Sequence, residues 1–265
     1  MQENTLLQAE NLFFSYEPGK PDDGKAPEDK EKINKKNFIL QGLTFSLSEG
    51  ETVGLVGANG AGKSTLLRLL VGLHLSYQGS LTIKGLPLEK KNLPSIRKSI
   101  GYVFQDSESQ LFMNRVEEDV SFGPRNYGYP EDEVKKRTEK ALEAVGITHL
   151  REKSIYKLSG GEKKLASIAT ILSLSPELLL LDEPSAALDP RNRRQLIKIL
   201  NGLPAAKLIA SHDLDFILDT CERTILLGEG RIIADGKSYD ILTQEDLLLE
   251  HGLELPLSLS RKTTS

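Results

Sequence analysis

The sequence predicts an α/β fold in which a parallel sheet is interrupted by an inserted, mainly helical segment. Short apolar runs recur along the chain, as is typical of strands buried on both faces of a parallel sheet. Between the second and third of these runs, residues 106–172 carry helical spacing instead. The runs are Glu51–Val56, Ile100–Phe104, Leu178–Leu181 and Lys207–Ser211.

The first of these strands leads into a glycine-rich loop. The chain reads Gly57-Ala58-Asn59-Gly60-Ala61-Gly62-Lys63-Ser64, which fits GxxxxGK[ST] at every fixed position. Leu66, Leu70 and Leu73 follow at i, i+4 and i+7, so a helix should begin near Gly62. The motif therefore has the strand–loop–helix context that it requires, which a chance glycine-rich turn would lack.

This loop suits the phosphates of a nucleotide. Glycines let backbone N–H groups wrap the phosphates, and the helix N-terminus adds positive potential. Lys63 is expected to reach the outer phosphates, and the Ser64 hydroxyl to ligate Mg²⁺. The residues expected to hold nucleotide here are Gly57, Asn59, Gly60, Gly62, Lys63, Ser64 and Thr65.

Two adjacent carboxylates follow the Leu178–Leu181 strand. Ligands of open α/β sheets bind beyond the carboxyl ends of the strands, so Asp182 and Glu183 should face the nucleotide. Asp182 suits Mg²⁺, directly or through water, and Glu183 suits polarising the attacking water. An acidic helix cap is the alternative. Two further strands end in Gln105 and His212, which would bring four sets of polar groups to one edge.

A second glycine pair lies upstream of these carboxylates. Ser159-Gly160-Gly161 precedes Leu165, Ile168 and Leu172, which recur at i, i+3 and i+7, so the glycines should lie at a helix start. Bare N–H groups and the helix dipole there would attract an anion. An ordinary glycine-containing helix cap is the alternative.

The order of these motifs resembles that of the ABC-transporter ATPase family. The resemblance implies an ABC ATPase fold: a RecA-like P-loop NTPase core, an inserted helical subdomain and an antiparallel β subdomain. It implies ATP and Mg²⁺ as cofactors, with two ATP molecules held between the phosphate loop of one subunit and Ser159, Gly160 and Gly161 of the other. Glu183 and His212 would then be catalytic.

Further roles also come from the resemblance. His212 would touch the γ-phosphate and orient Glu183 or the water. Gln105 would join Ser64 and Asp182 at Mg²⁺ and sense bound nucleotide. Tyr16 matches the aromatic residue that stacks on adenine in this family, although an aromatic residue in a strand can equally belong to the core.

The signature departs from the family pattern at its fifth residue. Glu162 stands where glutamine is common, and a carboxylate near a nucleotide is electrostatically unfavourable. We expect Lys163 and Lys164 to offset its charge. Ser185 replaces a more usual threonine in the segment Ser185–Asp189, which should cross the dimer interface.

The motif positions predict one ABC ATP-binding domain over residues 1–265. Glu17–Asn37 mixes charge with proline and glycine and predicts a mobile, solvated loop. The tail near His251 is apolar enough to pack, and His251 alone makes no metal site. The expected parts are an antiparallel β region (1–49, with loop 17–37), a nucleotide-binding core (50–105 and 176–230), a helical subdomain (106–175) and a hairpin strand with tail (231–265).

Composition excludes several classes of protein. The 265 residues carry 34 basic and 38 acidic side chains, a formal net charge of −4, with no basic block to favour nucleic acid. No run approaches the roughly 18 apolar residues of a membrane span, so any transport pore must come from other chains. The one cysteine, Cys221, excludes an internal disulfide.

The segment Gln110–Pro124 and the ending His251–Leu259 are similar to energy-coupling-factor importers, and the ending favours the cobalt/nickel branch over the vitamin branch. The resemblance implies a second ABC ATPase, identical or different, as partner, with membrane coupling and substrate-binding subunits and a peripheral position on the cytoplasmic face. A vitamin importer, a non-transport ABC ATPase and a regulatory subunit remain alternatives.

Overall fold

The computed structural model describes residues 5–16, 38–186 and 188–260, which form ten strands and ten α-helices. The predicted loop Glu17–Asn37 lies outside the described residues. The strands are β1 (Thr5–Phe14), β2 (Leu40–Ser48), β3 (Thr52–Val56), β4 (Tyr77–Ile83), β5 (Leu86–Pro87), β6 (Ile100–Val103), β7 (Leu178–Asp182), β8 (Ala206–Ala210), β9 (Arg223–Gly228) and β10 (Arg231–Lys237).

The helices are α1 (Lys63–Leu70), α2 (Leu93–Ser99), α3 (Val116–Asn126), α4 (Glu131–Ala144), α5 (Gly160–Leu172), α6 (Pro190–Gly202), α7 (Leu214–Thr220), α8 (Ser238–Leu242), α9 (Glu245–Glu250) and α10 (Leu257–Ser260). α1 begins next to Gly62, as predicted, and Leu73 lies beyond its end. Gly72 adopts a φ of +70° and ends the helix, and Leu73 is 57% exposed.

A six-stranded sheet forms the centre of the molecule, in the order β10-β9-β3-β8-β7-β6. Its strands pair in parallel except for the β9–β10 hairpin. All five residues of β7 and of β8 are buried, as their apolar sequences predict. The carboxyl ends of β3, β6, β7 and β8 therefore meet at one edge, where the polar side chains follow.

A second, antiparallel sheet has the order β2-β1-β4-β5. β4 and β5 come from within residues 50–105, which the sequence analysis assigned to the nucleotide-binding core. Their pairing with β1 places residues 77–87 in the antiparallel part instead. Gly79 allows the close approach, since a Cβ there would lie 2.3 Å from the Asn11 carbonyl oxygen.

The inserted segment is helical, as predicted. α3, α4 and α5 pack on one another, and Val120, Leu142 and Ile168 are buried between them. Pro130 precedes the first turn of α4, and Gly146, with a φ of +72°, follows its end. The insertion shares one apolar core with one face of the central sheet. Its position is therefore fixed by packing as well as by the chain segments that join it to the sheet.

The C-terminal part packs onto the central sheet through Leu248 and Leu253, which are buried in the same core. Over residues 5–16, 38–186 and 188–260, no helix has both the length and the apolar character needed to cross a bilayer.

Candidate nucleotide-binding site

The glycine-rich loop joins β3 to α1 and runs tightly over β9. A Cβ on Gly57 would lie 2.2 Å from the Leu227 carbonyl oxygen, so only glycine fits this backbone approach. Gly62 stands at the N-cap of α1 with a φ of +106° and gives no side-chain cap. The first N–H groups of α1 therefore have no side-chain acceptor at the N-cap and point toward the loop.

Lys63 lies inside this loop. Its Nζ donates to the carbonyl oxygens of Gly57 at 2.6 Å and Ala58 at 3.2 Å, and the residue is only 7% exposed. Burial lowers the pKa of its ammonium, whereas the charges of Glu183 and Asp182 raise it. The ammonium thus occupies the centre of the cradle, beside the two carboxylates.

Asp182 is buried at the end of β7. Its Oδ1 accepts a hydrogen bond from Ser64 Oγ at 2.9 Å, and its Oδ2 accepts one from the Tyr102 hydroxyl at 3.3 Å. Burial raises the pKa of the Asp182 carboxyl, although these two hydrogen bonds lower it, and burial raises the pKa of Tyr102 to about 12. The aspartate and the serine predicted to share Mg²⁺ are therefore in direct contact.

Glu183 lies at the adjacent position in a strained conformation. Its φ is +46°, a left-handed value that is rare for non-glycine residues and common at functional sites. Its Oε2 lies 2.8 Å from His212 Nδ1 and accepts from Ser211 Oγ at 3.2 Å. The carboxylate is therefore fixed in direction by the end of β8.

Lys63, Ser64, Glu183 and His212 line one cleft of about 540 Å³, and Gln105 also lines it. Gly57 and Asp182 do not line the cleft but contact the lining residues Lys63 and Ser64, respectively. Ser159, Gly160 and Gly161 do not contribute to it. The residues lining the cleft are Ile39, Asn59, Gly60, Ala61, Gly62, Lys63, Ser64, Thr65, Gln105, Glu183 and His212.

Tyr16 lies beside this cleft without lining it. Its hydroxyl is 3.2 Å from Thr65 Oγ1, and its ring meets Phe14 and His74 edge-to-face, each at 5.1 Å between centroids. The ring is 46% exposed, whereas Phe14 is buried. Phe14, and not Tyr16, is thus the core aromatic residue of this strand end.

Ser159, Gly160 and Gly161 begin α5. Ser159 Oγ accepts from the Glu162 N–H at 3.3 Å, and Glu162 Oε2 accepts from the Ser159 N–H at 2.7 Å, which makes a capping box. Lys153 Nζ pairs with Glu162 at 3.0 Å. The Ser159 N–H and Lys153 lower the pKa of the Glu162 carboxyl.

The expectation that Lys163 and Lys164 offset the charge of Glu162 is therefore wrong. Lys163 pairs with Glu108. Lys164 is 3% exposed and turns toward the core, and burial lowers the pKa of its ammonium to about 8. Because side chains at neighbouring positions of a helix point in different directions, Glu162 pairs instead with Lys153 from the preceding loop.

Gly161 is held close to the start of α6. A Cβ on Gly161 would lie 2.3 Å from Asn192 Nδ2, and that amide donates to Asp189 Oδ2 at 2.7 Å. Asp189 Oδ1 in turn accepts from the N–H groups of Arg191 and Asn192 and caps α6. The signature glycine and the segment after Glu183 are therefore packed against each other within one chain.

The donor set fits ATP with Mg²⁺. Mg²⁺ prefers oxygen ligands and usually takes only one or two carboxylates together with phosphate oxygens and water. Ser64, Asp182 and Gln105 offer hydroxyl, carboxylate and amide oxygens. Among the described residues no group of three or more His, Cys, Asp or Glu could hold a metal by itself. A metal bound here would neutralise phosphate charge.

Sequence reasoning missed Tyr102, Ser211 and Lys153. Parallel pairing of Asp182 with Ala210 puts Ser211 beside Glu183, so the strand register was a usable signal for that contact. Tyr102 lies on the neighbouring strand, opposite Leu180. Lys153 comes from a loop whose path no local pattern predicts.

The phosphate loop, the carboxylate pair and the capped glycines define the class of an ABC ATPase. The ABC transporter family model matches residues 40–186, more than half of the chain. A putative ABC transporter ATP-binding protein of Gloeobacter violaceus is 50% identical over 257 residues, which cover 96% of this chain and 98% of that protein.

One further relative and one solved structure belong to more specific kinds of ABC transporter. An energy-coupling factor transporter ATP-binding protein of Carboxydothermus hydrogenoformans is 39% identical to this chain. The matched residues cover 96% of this chain and 88% of that protein. The structure of CbiO1 from Clostridium perfringens, part of the ABC transporter complex CbiONQ, superposes with a TM-score of 0.79 at 34% identity, covering 98% of this chain and all of that one.

The chain belongs to the ABC transporter family, as an ATP-binding, ATP-hydrolysing subunit. The predicted ABC ATPase fold is confirmed.

Proposed function

We propose that this chain drives an energy-coupling-factor importer and that its ATP site is completed by a second ATPase subunit. The observation that carries the proposal is the separation of two anion-binding features. Asn59–Thr65 and Glu183 share one cleft, whereas Ser159–Gly161 begin another helix outside it. Because the signature does not line this chain's own cleft, we propose that it binds a partner's nucleotide.

Within the cleft, each side chain has a role that its contacts support. Lys63 and the loop N–H groups bind phosphate oxygens. Ser64, Asp182 and Gln105 would hold Mg²⁺, and Tyr16, which lies beside the cleft, is proposed to stack on adenine. Glu183 acts as the general base toward the attacking water, since its carboxylate is buried and fixed by Ser211 and His212.

His212 has the second catalytic role. Its side chain is 63% exposed on the cleft, while its Nδ1 faces Glu183 Oε2. The other ring nitrogen is free to reach a γ-phosphate, so the imidazole can orient the carboxylate and the nucleotide together. These contacts support a catalytic subunit over a regulatory one.

The cargo is proposed to be a micronutrient, with cobalt or nickel ions favoured over a vitamin. The similarity to an energy-coupling factor ATP-binding protein and to the CbiO1 subunit supports this class. The ending His251–Leu259 favours the metal branch. We further propose that the chain is peripheral on the cytoplasmic face of the membrane, because import needs a pore from membrane subunits.

The test of the importer proposal is uptake of radiolabelled cobalt, nickel and vitamins by vesicles that carry the complete complex. Glu183→Gln should retain ATP affinity and lower both hydrolysis and uptake by roughly a hundredfold, as expected for the loss of a general base. Vitamin uptake without metal uptake would overturn the metal branch. ATP-dependent export of a lipid or drug would overturn the importer proposal itself.

A further inference from the structure

The segment 104–110 connects β6 to the helical insertion and carries Gln105 into the cleft. Its contacts run mainly to α5, the helix that begins with the signature. Phe104 and Gln105 are exposed, and the one buried side chain of the segment is the small polar Ser107, so burial of apolar side chains does not hold it. What fixes it is a set of polar side chains, most of them from α5.

Lys164 makes the most buried of these contacts. Its Nζ donates to the carbonyl oxygens of Gln105 at 2.8 Å and Phe104 at 3.0 Å. The residue is 3% exposed, so the ammonium depends on these carbonyls for the hydrogen bonds that water would otherwise supply. Charge-assisted hydrogen bonds in such surroundings are strong, because little water competes for them.

Gln110 ties the other end of the segment to the same helix. Its Nε2 donates to the Ser167 carbonyl oxygen at 2.7 Å and to Thr170 Oγ1 at 3.0 Å. Its Oε1 accepts from the Phe104 N–H at 3.1 Å. An exposed ion pair between Lys163 and Glu108 adds a third link.

We propose that Lys164 and Gln110 join the segment 104–110 to α5, so that Gln105 at this chain's ATP and the signature Ser159–Gly161 move as one body. Lys164 is then a positioning residue: it touches no nucleotide but transmits occupancy of one site to the helix start that serves the other. This inference rests on the proposed function, in which the signature completes a partner's site.

A matched control exists in Lys207. It is also 3% exposed, and its Nζ donates to the Leu203 and Ala205 carbonyl oxygens, both at 2.8 Å. These carbonyls precede β8, at the edge of the sheet opposite the cleft. Lys164→Met and Lys207→Met each remove a buried ammonium from two carbonyl oxygens, but only the first lies between Gln105 and the signature.

The experiment is hydrogen exchange of the full chain carrying Glu183→Gln, with and without ATP and Mg²⁺, at a dilution where it is monomeric. ATP should slow exchange both in residues 104–110 and in the first turn of α5. With Lys164→Met, protection in the first turn should fall by about half or more while protection in 104–110 remains. Lys207→Met should behave as the parent chain.

Gln110→Ala is the second variant and should act in the same direction if Lys164→Met does not fold. The inference is overturned if the first turn of α5 keeps full ATP-dependent protection in the tested variant, if Lys207→Met loses it equally, or if ATP never protects α5 in the parent. Because the monomer is measured, these outcomes are separate from failure of the two-chain proposal, which would appear as absence of ATP-dependent association.

Discussion

The starts of α1 and α5 are both glycine-rich, yet they are built for different tasks. α1 has a glycine N-cap, no side-chain cap, no acidic residue in its first turn and a buried lysine. α5 has a serine cap, a reciprocal capping box and a glutamate balanced by Lys153. The first start lacks side-chain acceptors and therefore favours an anion. The N–H groups of the second start are already satisfied in part, and its Ser159 and Gly160 are exposed, as the proposed partner site requires.

The largest difference should appear when each glycine gains a methyl group. In Gly57→Ala the new Cβ meets a backbone carbonyl that cannot move without shifting β9, so we expect a loss of about 3 kcal/mol or more in unfolding free energy. In Gly161→Ala it meets the Asn192 amide, the end of a flexible side chain, and the loss should stay near 1 kcal/mol.

Urea unfolding of the two variants measures this difference directly. The parent chain provides the reference slope, and an unchanged slope keeps the comparison on stability alone. Equal losses at both positions would show that the phosphate loop is no more tightly constrained than the signature.

Loss of Lys63, at the start of α1, should weaken ATP binding much more than loss of Lys153, which pairs with the start of α5. Lys63→Met removes the ammonium at the centre of the cradle, so ATP affinity should fall by about 10- to 100-fold, as for hydrogen bonds to charged groups. Lys153→Met removes a partly exposed pair worth at most about 1 kcal/mol and should leave monomer ATP affinity unchanged. Calorimetric titration with ATP and Mg²⁺ would contradict the comparison if Lys153→Met bound as weakly as Lys63→Met.

The smallest effect is expected at the unusual signature residue. Glu162→Gln keeps a side chain that can complete the capping box and removes a carboxylate already balanced by Lys153, so stability should change by less than about 0.5 kcal/mol. Hydrolysis should stay equal or rise. A strong loss of hydrolysis would mean that the carboxylate itself is needed at the partner's nucleotide.

The sequence predicted those parts of the site in which the functional residues lie within, or next to, a recognisable local sequence pattern. The strand ending in Asp182 is predictable because its apolar run directly precedes the carboxylate pair. The loop Gly57–Ser64 is predictable because the fixed motif is itself the phosphate-binding segment. Residues 77–87 do not belong to the predicted core segment 50–105 because β4 pairs with β1, which is a contact distant in sequence. Lys164 was misassigned because the charge of a side chain does not reveal which side of its helix it faces.

The remaining contacts depend on tertiary packing that a single sequence does not encode locally. The left-handed φ of Glu183 is held by its N–H bond to the Ala210 carbonyl oxygen at 2.8 Å and by the end of β8. Lys153 reaches Glu162 only because a 3₁₀ turn, Ile155–Lys157, brings the preceding loop back to α5. No local sequence motif predicts either the conformation of Glu183 or the pairing of Lys153 with Glu162.

The central claim, that the capped glycines complete a partner's ATP site, is tested most directly by association of the Glu183→Gln chain. With ATP and Mg²⁺, light scattering should show conversion to a closed dimer, or compaction of an open one. Ser159→Arg in the same background should still bind ATP but fail to close. Absence of any ATP-dependent association or compaction with the membrane partner present, or closure that persists in Ser159→Arg, would contradict the claim.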